Sequence, residues 1–179
     1  MTLQDIDAQL SNQLYALNSL ILTYEFQSQF EFALSHELDL GWLNQFSYSG
    51  IYMIEISADI QLPVKEWLRD FQVDWEYEQF LKKSVPSLKK VRIQAHTTQR
   101  DWIPLYLGKS RKISHRLKEH ICLGLEKPTF ALKLLERKNL HGRNFRISTI
   151  KLDVVNYDLI VPYFESALRN SLNPILGRQ

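Results

Sequence analysis

The amino-acid sequence predicts an α+β domain preceded by a helical extension, and three observations point there. A chain of 179 residues is long enough to bury a real core and of the length of one domain. Its apolar fraction of 45% and aromatic fraction of 12% belong to a folded globular protein, not a disordered one. Helical spacings and short strand-like runs are interleaved along it, with no internal repeat and no low-complexity linker.

Taken in order, the elements are these. Leu3, Ile6, Leu10, Leu14, Leu17 and Leu20 or Ile21 recur in steps of three and four, which predicts a helix over residues 2–22. Thr2 followed by Asp5 reads as its capping box, with Asp where Glu is usual. The helical spacing runs on through Phe26, Phe30 and Leu34, either straight or as a hairpin. The apolar face of this segment suits packing on its own domain or a seam between two copies. IYMIEI at 51–56, after the turn residues Ser49 and Gly50, reads as a buried strand. Residues 64–83 read as a helix with Trp67, Phe71, Trp75 and Phe80 inward. VRIQAHT at 91–97 alternates apolar and polar residues, which predicts a half-buried strand. LYLG at 105–108 is a strand ended by glycine, and helices follow over 111–123 and about 129–138. NFRISTIKLDVV at 144–155 is a further strand. The last helix is expected from near Pro162, a residue tolerated in a first turn, to about Leu172. His36, His96, His115 and His141 have no pattern around them and read as surface residues.

Charge is unevenly distributed. Residues 1–81 hold two cations and thirteen acids, whereas residues 82–151 hold eighteen Lys or Arg and four acids, within a net charge of +2. Such polarity is that of a polyanion footprint on one segment, or of two halves that neutralise each other within one fold. The single cysteine, Cys122, allows no internal disulfide, and no charged-then-apolar leader opens the chain; a reducing, cytoplasmic setting is expected. The longest apolar runs are too short to cross a bilayer.

Two helices carry candidate chemistry at the edge of their buried stripes. Ile113, Leu117 and Ile121 are spaced by four, and Arg116 and His120 form a second row beside them, rotated by about one residue. In the last helix Phe164, Leu168 and Leu172 make the buried row, with Glu165 alongside. Arginine offers a planar fork to phosphate oxygens and a carboxylate binds hard divalent ions, so the combination suits a metal-and-phosphate site. Boundary positions of amphipathic helices are also routinely charged for solubility alone.

These residues follow a known order. SGIYMIEI at 49–56 contains Gly50-Ile51-Tyr52, and LYLGKS at 105–110 contains Tyr106-Leu107-Gly108. The sequence resembles the GIY-YIG endonuclease superfamily, with Leu107 in place of the middle isoleucine. In that family a basic helix with an essential arginine follows the second motif, matched by Arg116, and many members have a histidine four residues on, matched by His120. The metal-ligand glutamate is matched by Glu165, and the proline nine residues beyond it by Pro174. The resemblance covers residues 50–56 and 104–176, about half of the chain. It departs from the family in two places. Residues 53–105 separate tripeptides that a short loop normally joins, and Gly177 stands where an asparagine is common, with Asn170 or Asn173 as substitutes.

What the resemblance implies is specific. The fold would be a small central antiparallel β-sheet flanked by helices, with a helical extension over 1–48 and a nuclease domain over 49–179. A long insertion, residues 53–105, would lie between the first two core strands. The activity would be single-metal hydrolysis of DNA phosphodiester bonds, with Mg²⁺ or Mn²⁺ on Glu165. Tyr52 is the first choice for orienting or deprotonating the attacking water. Tyr106 would close a central strand beside it, Arg116 and His120 would reach the scissile phosphate, and Lys109, a further catalytic residue, would attract the backbone and assist Tyr52. Arg111, Lys112 and Lys118 would attract the backbone, and Arg100, in the polar loop 97–100, would reach base edges or simply connect elements. A small type II restriction enzyme acting on double-stranded DNA as a homodimer is the expected subtype, with a repair, structure-specific or mobile-element nuclease next to it. A catalytically silent nucleic-acid-binding domain, or an interaction protein whose acidic N-terminal segment docks a basic partner, are the readings from other classes.

Overall fold

Thr2 opens the first helix as its sequence requires. Its hydroxyl accepts the Asp5 N–H at 3.2 Å, and its own N–H donates to the Asp5 carboxylate at 2.7 Å, closing a reciprocal capping box ahead of α1 (Leu3–Ile21). The structure, a computed structural model, describes residues 1–80 and 84–178. Its remaining elements are β1 (Gln27–Ala33), β2 (Gly50–Ser57), α2 (Val64–Trp75), β3 (Ser87–Leu88), α3 (Lys90–Gln94), β4 (Trp102–Ser110), α4 (Ile113–Cys122), β5 (Asn144–Lys151), α5 (Tyr157–Leu172) and β6 (Leu176–Gly177).

The fold is α+β. Four antiparallel strands form a sheet in the order β1-β5-β2-β4, and β3 and β6 make a separate two-stranded ribbon. One face of the sheet, with Tyr52, Ile54, Phe145 and Ile147, packs under α2 and α4. The other, with Ile51, Met53, Leu107 and Ile150, packs under α5 and the end of α1. β2 and β4 pair directly, so residues 58–101 are an excursion from a hairpin. Each doubling of such a loop costs only about 0.6 kcal/mol of closure entropy, and this excursion folds around its own Trp67, Phe71 and Trp75. Gly50 is required where β2 meets β5. At φ 155° a side chain there is strained, and a Cβ would strike the Ile150 carbonyl.

Several expectations are corrected. Of Phe26, Phe30 and Leu34, expected to continue the helical spacing, Phe30 lies in β1, an edge strand of the sheet, and the other two flank it, so the segment 1–48 is not helical throughout. Phe30, Phe32 and Leu34 also alternate by two, and Phe30 and Phe32 lie against Trp42. The strand expected at 91–97 is the short helix α3, with Val91 exposed and Ile93 packed against the core. The helix expected over 64–83 ends at Trp75, with Phe80 buried in a short 3₁₀ turn, Glu78–Phe80. Residues 81–83 of that helix, and residue 179 of the expected domain, lie outside the described residues. The helix expected over 129–138 is instead two 3₁₀ turns, Leu134–Glu136 and Lys138–Leu140, after a left-handed Lys133. β5 stops at Lys151, and α5 begins at Tyr157, leaving Pro162 inside the helix at the loss of one helical hydrogen bond. Tyr106 lies on β4, an edge strand, not a central one. His96 is buried, its Nε2 2.8 Å from the Asn173 carbonyl oxygen.

Where the basic segment folds inward it closes the end of α2. The buried Arg137 donates to the carbonyl of Trp75 at 3.1 Å and to that of Leu132 at 3.1 Å, with its guanidinium 3.5 Å above the Trp75 ring. Asn139 caps the Asp74 carbonyl at 2.7 Å, and Arg143 pairs with the Asp74 carboxylate at 2.6 Å. Cations at a helix C-terminus complement its unpaired carbonyls and dipole.

Candidate active site

The GIY and YLG tripeptides lie on paired strands and meet at one position. Tyr52 on β2 is the cross-strand partner of Gly108 on β4, and a Cβ at position 108 would fall on the Tyr52 hydroxyl and lie 2.6 Å from its Cζ. The glycine is therefore the space that the tyrosine hydroxyl occupies. A register shift between Ile54 and Glu55 leaves Leu105 as an extra residue on β4, a bulge beside the site. Tyr106 follows it with its ring 6.4 Å from that of Tyr52.

The buried stripe of α4 forms as its spacing predicts. Ile113, Leu117 and Ile121 are fully buried, each contributing about 1.5–3 kcal/mol, and this fixes the rotation of the helix. The neighbouring row then splits in function. Arg116 reaches the Glu119 carboxylate and the Phe130 carbonyl and lines a cavity with Tyr52 and Tyr106. His120 is wholly buried behind Tyr52 and does not line it, so the expectation that it reaches a phosphate is corrected.

The hydrogen bonds of His120 settle its tautomer. Nδ1 accepts the backbone N–H of Leu132 at 3.1 Å, so a neutral ring carries its proton on Nε2. Nε2–H then donates to the Tyr52 oxygen, 2.8 Å away, and leaves the phenol proton free to be donated elsewhere. Burial, then the Arg116 charge, hold the His120 pKa well below 6.5. Burial also pushes the Tyr52 phenol well above 10, reinforced by Tyr106 and opposed by Arg116. Tyr106 is raised by burial and opposed by Arg116. Burial works against the charge of Arg116 itself, but Tyr52 and Glu119 outweigh it and hold the guanidinium above its ordinary value.

Glu165 faces the same cavity from α5, buried as its place beside Phe164 and Leu168 predicts. Lys109 Nζ lies 2.5 Å from its Oε2, and Arg169 holds Oε1. The cavity, of about 440 Å³, thus brings together Tyr52, Tyr106, Lys109, Arg116 and Glu165. It also exposes residues that sequence reasoning missed: Arg92 of α3, Phe130, Arg169 and Arg178. Only Arg169 had a signal, its position four residues after Glu165 on one helix face. Arg92 and Arg178 arrive through the β3–β6 ribbon, a pairing across about ninety residues.

Other candidates lie outside the cavity. Arg111 pairs with Asp158 at 2.8 Å and sits 4.3 Å over the Tyr157 ring. Lys112 is the exposed residue at the start of α4, and Lys118 and Arg100 are exposed. Asn173 ends α5 in the left-handed conformation, Asn170 is exposed, and neither lines the cavity, which Gly177 does. Part of the charge contrast between the chain's halves is neutralised internally, by Arg143–Asp74 and by a bidentate Arg146–Glu55 pair at 2.6 and 2.8 Å.

Among the described residues no group of three or more His, Cys, Asp or Glu is placed to cage a metal, and no helix is long and apolar enough to cross a membrane. Glu165 is the one carboxylate of the cavity that would hold a divalent ion, in the way magnesium takes one or two carboxylates together with waters and substrate phosphates, and both of its oxygens are held here by Lys109 and Arg169. No protein family, curated protein or solved structure matches this chain.

Proposed function

We propose that this cavity hydrolyses phosphodiester bonds of double-stranded DNA, as a nuclease of the GIY-YIG kind. The observation that supports this is convergence: Tyr52 from β2, Tyr106 and Lys109 from β4, Arg116 from α4 and Glu165 from α5 line one cavity. Hydrolysis needs a water aimed at phosphorus and cations around the phosphate oxygens. Tyr52 orients that water and takes its proton. Its phenolate forms only while Nε2–H of His120 and the guanidinium of Arg116 share the charge, because burial otherwise keeps the phenol protonated. His120 is thus a positioning residue, and Arg116 serves both the phenolate and the phosphate. Lys109 exchanges Glu165 for a phosphate oxygen as the strand enters. A magnesium or manganese ion on Glu165 would neutralise charge developing on the phosphate and leaving oxygen.

The subtype proposed is a type II restriction-like enzyme of the cytoplasm, acting as a homodimer. One Tyr–Arg–Glu constellation attacks one strand, so a double-strand break takes two copies. The α1 face offers the seam, with Leu3 77%, Ile6 46% and Leu10 43% exposed. Incubation with supercoiled plasmid and Mg²⁺ should yield linear product without a persistent nicked form, and light scattering should give a dimer on DNA. Nicked product from a monomer would point instead to a nicking or structure-specific enzyme, and unchanged plasmid would overturn the nuclease. A second reading, a silent DNA-binding domain, draws on the occupation of both Glu165 oxygens by Lys109 and Arg169. It gives a gel shift with no cleavage.

A further inference from the structure

The cavity holds more positive charge than one scissile phosphate requires. Arg92, Lys109, Arg116, Arg169 and Arg178 line it, against the single carboxylate Glu165. Lys109 and Arg169 share that carboxylate, and Arg116 has Glu119. Arg92 and Arg178 have no carboxylate partner among the described residues. Arg92 donates to the Pro174 carbonyl at 3.4 Å, a weak bond, and Arg178 lies over the Phe130 ring with its carbon 5.0 Å from the centroid. Burial, and after it the nearby charge of Arg169, hold Arg92 below its ordinary proton affinity. Like charges brought together at a half-buried wall are stabilised when an anion enters between them.

The architecture makes this convergence deliberate in a physical sense. Arg92 stands on α3, inside the excursion, and Arg178 follows β6. Pairing of Ser87 with Gly177 and Leu88 with Leu176, and a bond of 2.9 Å from the Lys89 N–H to the Ile175 carbonyl, fasten the two segments together. Space is sufficient: about 440 Å³ is many times the roughly 30 Å³ that one water occupies.

We propose that Arg92, Arg169 and Arg178 form a second phosphate subsite, which takes the phosphodiester one nucleotide from the bond attacked between Lys109 and Arg116. The excursion between the two tripeptides thereby supplies part of the substrate site. The proposal rests on the nuclease reading and deepens it, and binding tests it without metal or turnover. In metal-free buffer, calorimetry compares thymidine 3′,5′-bisphosphate with the 3′- and 5′-monophosphates. Charge-assisted hydrogen bonds of this kind should make the bisphosphate about tenfold to a hundredfold tighter than either. Arg92→Gln and Arg178→Gln should each remove about tenfold of that preference for the bisphosphate, while Arg116→Ala weakens all three ligands. Equal binding of mono- and bisphosphate by the wild-type protein, or no binding of either, overturns the subsite whatever the variants do. So does a preference that survives both glutamine substitutions in variants whose melting temperature matches wild type. Plasmid cleavage is scored separately: cleavage without bisphosphate preference sinks the subsite alone, and preference without cleavage sinks the nuclease while the anion subsite stands.

Discussion

Two groups of cations come from the same basic segment and meet opposite fates. Lys133 and Arg137 are fully buried, and main-chain carbonyls and aromatic rings take the place of their water: those of Leu125 and Lys127 for Lys133, those of Trp75 and Leu132 for Arg137, with the rings of Trp75 and Phe80 around the latter. Lys109 and Arg116 sit at a cavity wall and meet carboxylates and tyrosines. Carbonyls fix a cation for the life of the fold, because leaving them unpaired in the interior is costly. A carboxylate at an open wall can be exchanged for a phosphate. The difference teaches that a positive count along a sequence mixes cations that hold the fold with cations that wait for a ligand.

The largest effect expected of breaking this contrast is at Glu165. Glu165→Gln should abolish cleavage, a loss of about 10²–10³-fold or more, while DNA binding persists or tightens because a charge facing phosphates is gone. Full cleavage by this variant in Mg²⁺ would remove Glu165 from the site.

On the buried side, Arg137→Met should cost about 3–5 kcal/mol of stability, from two carbonyls left without a donor and the weaker packing between Trp75 and Phe80. Denaturant melts read this, and cleavage per folded molecule at low temperature should stay near wild type. An unchanged midpoint would mean that Arg137 is not what closes α2.

Tyr52→Phe sharpens the comparison at the cavity, with an expected loss of about 10²-fold in rate and about 1 kcal/mol in stability through the missing His120 bond. The pH profile tests the mechanism. The Tyr52 pKa lies well above 10 in the free protein, so below it the phenolate fraction grows with rising pH. Wild-type cleavage should climb through pH 9 with no plateau, and Tyr52→Phe should be flat. A plateau near neutrality in wild type would assign the base elsewhere.

The smallest effects belong to the exposed cations. Replacement of Arg100, Lys112 or Lys118 by Ala should weaken DNA binding uniformly and reduce the slope of log affinity against log salt by about one for each phosphate no longer neutralised. Wild-type binding that is flat in salt would mean that internal pairs such as Arg143–Asp74 and Arg146–Glu55 account for the charge contrast instead.

What the sequence determined by itself was local. The capping box of Thr2 and Asp5, the Ile113–Leu117–Ile121 stripe with Arg116 beside it, and Glu165 next to Phe164 and Leu168 are all set by successive steps of four residues or fewer. Backbone periodicity alone turns such spacings into faces. The pairing of Tyr52 with Gly108 was implied only through the family resemblance, and the register supplied the reason for it, room for a hydroxyl. Tertiary structure decided the rest. Phe26, Phe30 and Leu34 fit a helix and a strand equally well until β5 offered hydrogen bonds to one of them. Val91 and Ile93 alternate as a strand would, but the Arg92 and Ile93 N–H groups turn back to the Lys89 carbonyl and close a helix. Arg116 and His120 share one row of α4, and only the path of residues 130–132 across that helix left one at the cavity and sealed the other behind Tyr52. Arg92 and Arg178 have no local signal, because what brings them together is a ribbon between segments far apart in the chain, and long-range pairing carries no periodicity for a sequence to display.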